Sequence, residues 1–413
     1  MTASLPPIDA ERLWSDLMTM GAIGETAGGG SFRPALSDAD REARALFRFW
    51  ARQAGLTVTT DAIGNIFARR EGTDPNLPPV VIGSHLDTQM PGGKFDGVLG
   101  VLAGLAVVRA LNEGDIRTRH AIEIVDWTNE EGARFQPGVM GSAVFAGKLP
   151  LEEALSRVDP EGKVLGQELD RTGQAGAMPV GGRALHRYLE LHIEQGPELE
   201  SSGTDIAAVS RTSFMCSGYV TVNGENGHTQ TTPMSARRNA LTAAARLILA
   251  IDEIGAAEEP LGMVSASTIT NWPNNRVNIP HRTELSYAVV HMEEEGRRRI
   301  MDRIEAAVRQ IAQETGLEID LQHRHFRDAF DFSPELRSAV RETADGLGLS
   351  SCELPTLTAH DALSMQELCP TALIFVPCRD GVSHSEREWA EPEHVANGAE
   401  VLLHMAAREA GLG

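Results

Sequence analysis

Five side chains from five separate stretches have the types that hold divalent metal. They are His85 in Gly83-Ser84-His85-Leu86-Asp87-Thr88, Asp96 in Gly93-Lys94-Phe95-Asp96-Gly97, Glu131 in Asn129-Glu130-Glu131-Gly132, His192 in Leu191-His192-Ile193-Glu194, and His384 in Ser383-His384-Ser385. Imidazole nitrogen and carboxylate oxygen suit zinc or manganese, and the same donors accept cobalt or nickel. Three imidazoles and two carboxylates furnish two ions if one carboxylate is shared, and Asp96 is the expected bridge. Two ions about 3.5–4 Å apart clamp a hydroxide between them and lower its pKa towards neutrality. Glu130, next to the ligand Glu131, is the expected general base, taking a proton from that water and returning it to a leaving nitrogen. Asp87, two places after His85, is expected to hold that imidazole in position. Each feature alone is weak, because a strand-end histidine or a solvated acidic pair is common. The ordered set carries the signal.

Those residues need strands that end together. Val80-Val81-Ile82 is a β-branched run leading to His85, Ala121–Trp127 a strand leading to Glu130 and Glu131, and Tyr188–Ile193 a strand containing His192. Gly97 to Asn112 reads as an apolar helix whose Gly100, Ala103, Gly104 and Ala106 let it lie close to a sheet. Polar groups at the carboxyl ends of strands are how an open α/β sheet presents a site. Ile8–Met20 and a segment opening at Ser37 are expected to be helices, and the polar, glycine-rich stretch from Glu161 to Gly182 a surface excursion.

From about Arg211 the texture changes. Strands are expected at Tyr219–Asn223, Met263–Thr270, Thr283–His291 and Glu318–His325, with helices at Met234–Ile254 and Glu293–Thr315. That β-α-β-β-α-β order describes a small α+β sandwich with helices on one face. After Ser333 the α/β texture returns, with a helix at Pro334–Gly346, a strand at Ala372–Val376 and a helix near Pro392–Arg408. The expected division is a catalytic metal-binding domain of residues 1–210 and 330–413, interrupted by an inserted domain of residues 211–329.

A chain of 413 residues is longer than one ordinary core fills. The net charge of −21 argues against nucleic acid or an anionic membrane as a partner, since either needs clustered Lys and Arg. Cys216, Cys352, Cys369 and Cys378 show no C-x-x-C spacing, so a reducing, cytoplasmic compartment is expected. Met1 to Ile8 lacks the basic and apolar regions of a signal peptide. No apolar run reaches the roughly 18 residues that a membrane span needs.

The motifs quoted above resemble those of the metal-dependent amidohydrolases of the aminoacylase and carboxypeptidase-like superfamily. Within it, the chain is similar to the branch of N-carbamoyl-L-amino-acid hydrolases, allantoate amidohydrolases and β-ureidopropionases. Further carriers are Phe95-Asp96-Gly97-Val98-Leu99-Gly100, His192-Ile193-Glu194-Gln195-Gly196-Pro197, Thr231-Thr232-Pro233-Met234, Ala359-His360-Asp361-Ala362 and Ile374-Phe375-Val376-Pro377. The resemblance spans nearly the whole chain. It implies a di-metal exopeptidase-like catalytic domain, a lid domain that also mediates homodimerisation, and hydrolysis of a linear amide or ureido C–N bond in a small molecule. It further implies that His228 reaches the partner subunit's site and polarises the scissile carbonyl, a catalytic role, and that Gln195 and His360 line the substrate pocket.

The chain departs from that pattern in the inserted domain. His228-Thr229-Gln230 stands where the family usually has His-Ala-Gly, and Val277 precedes Asn278 where the family usually has asparagine before valine. Ala288-Val289-Val290 occupies the place of an Asp-Leu-Arg whose arginine grips a substrate carboxylate. A bidentate arginine contact has no replacement in valine. The expectation is therefore an atypical substrate lacking that carboxylate, with Arg276, Asn278 or His291 as the alternative source of the contact. An N-acyl-amino-acid deacylase or di-zinc exopeptidase is the competing enzyme reading, and a non-catalytic binding protein on the same fold the competing class.

Overall fold

The structure, a computed structural model, describes residues 5–412. Residues 1–4 and Gly413, which carry part of the leader expectation and the outermost domain bounds, lie outside the described residues. The chain runs through β1 (Thr57–Thr60), β2 (Ile66–Arg70), β3 (Val80–His85), β4 (Ile122–Trp127), β5 (Arg187–Ile193) and β6 (Ile206–Thr212). It continues with β7 (Phe214–Asn223), β8 (Gly227–His228), β9 (Gly262–Trp272), β10 (Asn278–Ile279), β11 (Arg282–His291) and β12 (Glu318–Arg327), then β13 (Ser351–Thr356) and β14 (Thr371–Val376). It divides into two compact units: residues up to Ser210 with Phe332–Leu354 and those from Ala359 on, and Arg211–Asp331 with Pro355–Thr358.

The first unit is an α/β fold built on one mixed sheet in the order β1-β2-β4-β3-β5-β14-β6-β13. Its centre, β4-β3-β5-β14, is parallel. All six residues of β3, β4 and β14 are buried, as expected of parallel strands covered on both faces. The helix Val98–Glu113 is buried through Leu111. Its glycines allow this, since a Cβ on Gly100 would stand 2.6 Å from the Leu191 carbonyl oxygen and one on Gly104 3.0 Å from Ile82. The helices Ala10–Ala22 and Pro392–Ala410 share the same apolar core. The register sets His85 beside Trp127 and His192 beside Phe375, so the ligand-bearing strands finish at one edge. Parallel order and register together turn scattered sequence positions into neighbours.

The second unit has the antiparallel sheet β12-β7-β11-β9. The helices Ala240–Ala256 and Glu294–Thr315 pack on it through Leu247, Ile251, Ile300 and Ile304. A two-residue ribbon, β8 with β10, pairs His228 with Asn278.

Two local expectations are corrected and two strands are added. The stretch from Glu161 to Gly182 contains a helix, Leu165–Thr172, whose Leu165 and Leu169 join a small core with Ile63, Phe135 and Met140. Its two leucines were too few to stand out among polar and glycine residues. The expected helix from Met234 begins only at Ala240, because Asn239 caps it through the N–H groups of Leu241 and Thr242, a strong start signal. Residues Met234–Ala236 form a separate 3₁₀ turn. Strands β6 and β13 complete the sheet, and β13 alternates half-buried and exposed residues at its edge, so it lacks an apolar run.

Candidate metal centre

His85 ends β3, and its Nδ1 lies 2.9 Å from the carbonyl oxygen of Asp87. His192 does the same with Ile193, at 2.9 Å. A carbonyl accepts only from N–H, so each ring carries its proton on Nδ1 and turns Nε2 inward. Both Nε2 atoms face one oxygen of Asp96, Oδ1, at 3.6 Å from His85 and 3.1 Å from His192. The other oxygen, Oδ2, lies 3.4 Å from His384 Nε2, which is itself 3.3 Å from Glu131 Oε2. Two groups therefore share Asp96: His85–Asp96–His192 and Asp96–Glu131–His384, each with its ligand atoms mutually within 4.8 Å.

Backbone geometry makes the convergence. Gly97 follows Asp96 at φ +69°, and a Cβ there would lie 2.3 Å from the His85 ring. Only glycine permits both the left-handed turn and that approach. His384 has φ +51° and Gln195 φ +58°, conformations that cost a non-glycine residue about 1–3 kcal/mol and cluster at functional sites.

Asp87 faces the His85 ring through its backbone carbonyl and leaves its carboxylate for the next turn. Its carboxylate stands 4.0 Å from His85 Nδ1, and the backbone carbonyl orients the ring instead. The carboxylate oxygens accept the N–H groups of Glu130 and Glu131, each at 3.2 Å. Asp87 thus fixes the acidic turn as well as the imidazole, and burial pushes its carboxyl up to about 7 against the pull of His85. Glu130 is buried with Oε2 3.5 Å from His85 Nε2. Burial, with the charges of Asp361, Glu131 and Asp87, holds its carboxyl well above the usual range despite His85.

The donor set fits divalent ions. Burial alone would lower His85, yet Glu130, Asp96, Asp87 and Glu131 raise it well above its ordinary value, and Asp96 likewise raises His192. Five acidic side chains, Asp87, Asp96, Glu130, Glu131 and Asp361, gather around three imidazoles. A buried excess of carboxylates is costly unless cations offset it. Imidazoles oriented by backbone carbonyls, with Nε2 turned towards the shared carboxylate, are the usual arrangement behind a metal, although His192 Nε2 also accepts the Gly97 N–H at 3.2 Å.

Of the expected substrate residues, Gln195 lies against the shared carboxylate, its amide N–H reaching Asp96 Oδ2 at 2.9 Å while its Oε1 is buried without a partner. His360 is buried edge-on to His192, with ring centroids 4.6 Å apart. His228, Asn278 and Arg276 belong to the second unit. There His228 is exposed and its Nδ1 accepts the Gln230 N–H at 3.1 Å, and Arg276 is exposed in the turn before β10. Val289 is buried in β11 between Cys216 and Val264.

Sequence reasoning missed three residues. Gln89 binds both Glu131 oxygens, through its backbone N–H at 3.1 Å and its amide at 2.7 Å. Ser383 Oγ lies 2.8 Å from Asp96 Oδ2 and 3.1 Å from Glu388 Oε2. Glu388 Oε1 accepts the N–H groups of Phe95 and Asp96 at 2.9 and 3.0 Å, and burial pushes that carboxyl up to about 7. Ser383 stands inside a quoted motif, Gln89 directly after one and Glu388 four residues past His384, which is the available signal.

Imidazole and carboxylate groups gathered around one buried carboxylate, at the carboxyl edge of an α/β sheet, fit a metal-dependent hydrolase of the exopeptidase type. The chain belongs to peptidase family M20/M25/M40, whose model matches residues 81–408; the family is metal-dependent. It is 41% identical over 397 residues to an N-carbamoyl-L-amino-acid amidohydrolase of Rhizobium meliloti, covering 96% of this chain and 95% of that one. It is 31% identical to a ureidoglycolate hydrolase of Arabidopsis thaliana, covering 97% and 86%. A solved amidase of the hydantoinase/carbamoylase family from Burkholderia vietnamiensis superposes with a TM-score of 0.95 at 41% identity, covering 99% of both chains.

Removing divalent ions with a chelator is expected to lower the melting temperature, and zinc or manganese to restore it. A site filled at 100 times its Kd contributes about 2.7 kcal/mol. A melting temperature indifferent to both treatments would contradict the charge argument.

Proposed function

We propose that this protein hydrolyses the C–N bond of an N-carbamoyl amino acid or a related small ureido or linear amide substrate, using two divalent ions held across Asp96. The observation that carries this reading is the division of the Asp96 carboxylate, Oδ1 towards His85 and His192 and Oδ2 towards His384 beside Glu131. The names of the relatives support the bond type. Ions bound there supply Lewis-acid polarisation and an activated water. Glu130, hung on Asp87 through its backbone N–H, takes the water proton on its carboxylate and delivers it to the leaving nitrogen. Gln195 offers the substrate its unpartnered Oε1, and His360 walls the same side.

The second unit acts in this reading as a lid and dimerisation domain, with His228 serving the partner subunit's site as carbonyl-polarising donor. Edge strand β9 supports the pairing: it runs 11 residues and leaves Met263, Ile269 and Trp272 exposed, which an unpaired edge normally avoids. Light scattering should therefore give a dimer mass, and a monomer would remove the partner role of His228. A cytoplasmic location belongs to the same reading, supported by four free cysteines. No helix among the described residues is long and apolar enough to cross a membrane.

Val290 extends the reading to substrates without the carboxylate that an arginine there would grip. Steady-state assays on N-carbamoyl amino acids and on carboxylate-free ureido amides test both levels. Glu130→Gln should keep its metal and lose about 10²–10⁴-fold in kcat, with ammonia as a product of the wild type on carbamoyl substrates. Comparable turnover with and without the carboxylate is expected; strong preference for the carbamoyl amino acids would sink the extension and turn attention to Arg276, Asn278 and His291. Peptide cleavage without ammonia release would favour the exopeptidase reading instead.

A further inference from the structure

The segment from Gly24 to Ser31 has no role in the chemistry described above, yet it joins the two loops that deliver Asp96 and His384. Ser31 and Gly92 exchange backbone hydrogen bonds of 2.9 and 2.8 Å, which ties the segment to the glycine-rich loop four residues before Asp96. At the other side, the Thr26 hydroxyl and the Gly28 N–H both donate to Glu386 Oε1, the second at 3.2 Å. The Gly30 N–H donates to Thr26 Oγ1 at 3.1 Å and closes the turn. A Cβ on Gly28 would sit 2.4 Å from the Glu386 carboxyl carbon, and one on Gly30 2.4 Å from the Gly92 carbonyl oxygen. At Gly30 the obstacle is backbone, so the close approach there requires glycine.

Glu386 is two residues from His384, and His384 is the ligand most in need of support. Its side chain is 50% exposed, against 2% for His85 and 1% for His192. It rides on a loop at φ +51°, whereas the other two histidines belong to buried strands. The group His85–Asp96–His192 is therefore held by the sheet and the turn into the buried helix, and the group Asp96–Glu131–His384 depends on how the 383–388 loop is held.

We propose that Thr26 and Glu386 are positioning residues that hold His384 in its ligating conformation, and so set the metal affinity of the Asp96–Glu131–His384 position without altering the other. The proposal rests on the two-metal reading and deepens it: the two positions differ in affinity, and the glycine-rich segment tunes the weaker one. A role confined to fold stability would instead lower the melting temperature and weaken both positions together.

Calorimetric titration of the metal-free full chain with Zn²⁺ separates these, with thermal melting run alongside. Wild type should show two sites. Glu386→Ala should keep the tighter site and raise the Kd of the weaker by about 10–100-fold, the usual cost of removing an outer partner of a ligand. Glu386→Gln keeps a carbonyl oxygen for both bonds and should stay near wild type. Thr26→Val, nearly isosteric, should move the weaker site in the same direction as Glu386→Ala, and it carries the test if that variant does not fold. Two unchanged sites, or two sites weakened equally, would overturn the proposal. A wild type that binds fewer than two ions would instead overturn the two-metal reading, and the proposal with it.

Discussion

The structure depends on one carboxylate facing two ways. Asp96 sits between imidazoles that present Nε2 to one oxygen and a histidine beside Glu131 that faces the other. Burying that carboxylate among Asp87, Glu130 and Glu131 is unfavourable until positive charge occupies the same space. The neighbouring fold follows from delivering it there. Gly97 takes the left-handed turn no other residue could take against the His85 ring, and the helix that follows is buried on small residues so that its first turn reaches the sheet edge. Parallel β3 and β5 then set two histidines at that edge from positions more than a hundred residues apart in sequence. Asp87 anchors the acidic turn through two N–H bonds, each worth about 0.5–1.5 kcal/mol net. Catalysis of this type rests on such preorganised charge.

Much of this was legible in the chain. His85, Asp96, Glu131, His192 and His384 could be named because each ends an apolar run or opens a glycine-rich turn, and those textures survive in sequence. Their convergence could be expected only from the parallel order of the strands. The partners that hold them were harder to read. Gln89, Ser383 and Glu388 act through hydrogen bonds to backbone or to ligand oxygens, and a lone polar residue in a loop looks the same whether it does so or faces water. Asp87 shows the limit well: residue type alone does not say that its carbonyl faces the ring while its carboxylate serves the next turn. The helix Leu165–Thr172 escaped for a similar reason, because two buried leucines in a glycine-rich stretch form no visible period.

The second unit presents the opposite balance. Its β-α-β-β-α-β order follows from periodicity and appears as a four-stranded antiparallel sheet with two helices. The ribbon that pairs His228 with Asn278 consists of only two residues a side, too short to leave a pattern. In β11 a buried Val289 and its neighbour Val290 complete a hydrophobic strand where the resemblance implied a charged one. The five ligand candidates, by contrast, all lie in the first unit.

The account is tested most directly by anomalous diffraction from crystals of the full chain grown with zinc or manganese. It predicts two peaks, one between His85, His192 and Asp96 Oδ1, the other between His384, Glu131 and Asp96 Oδ2. A single peak, or metal bound away from Asp96, would contradict the shared-carboxylate centre.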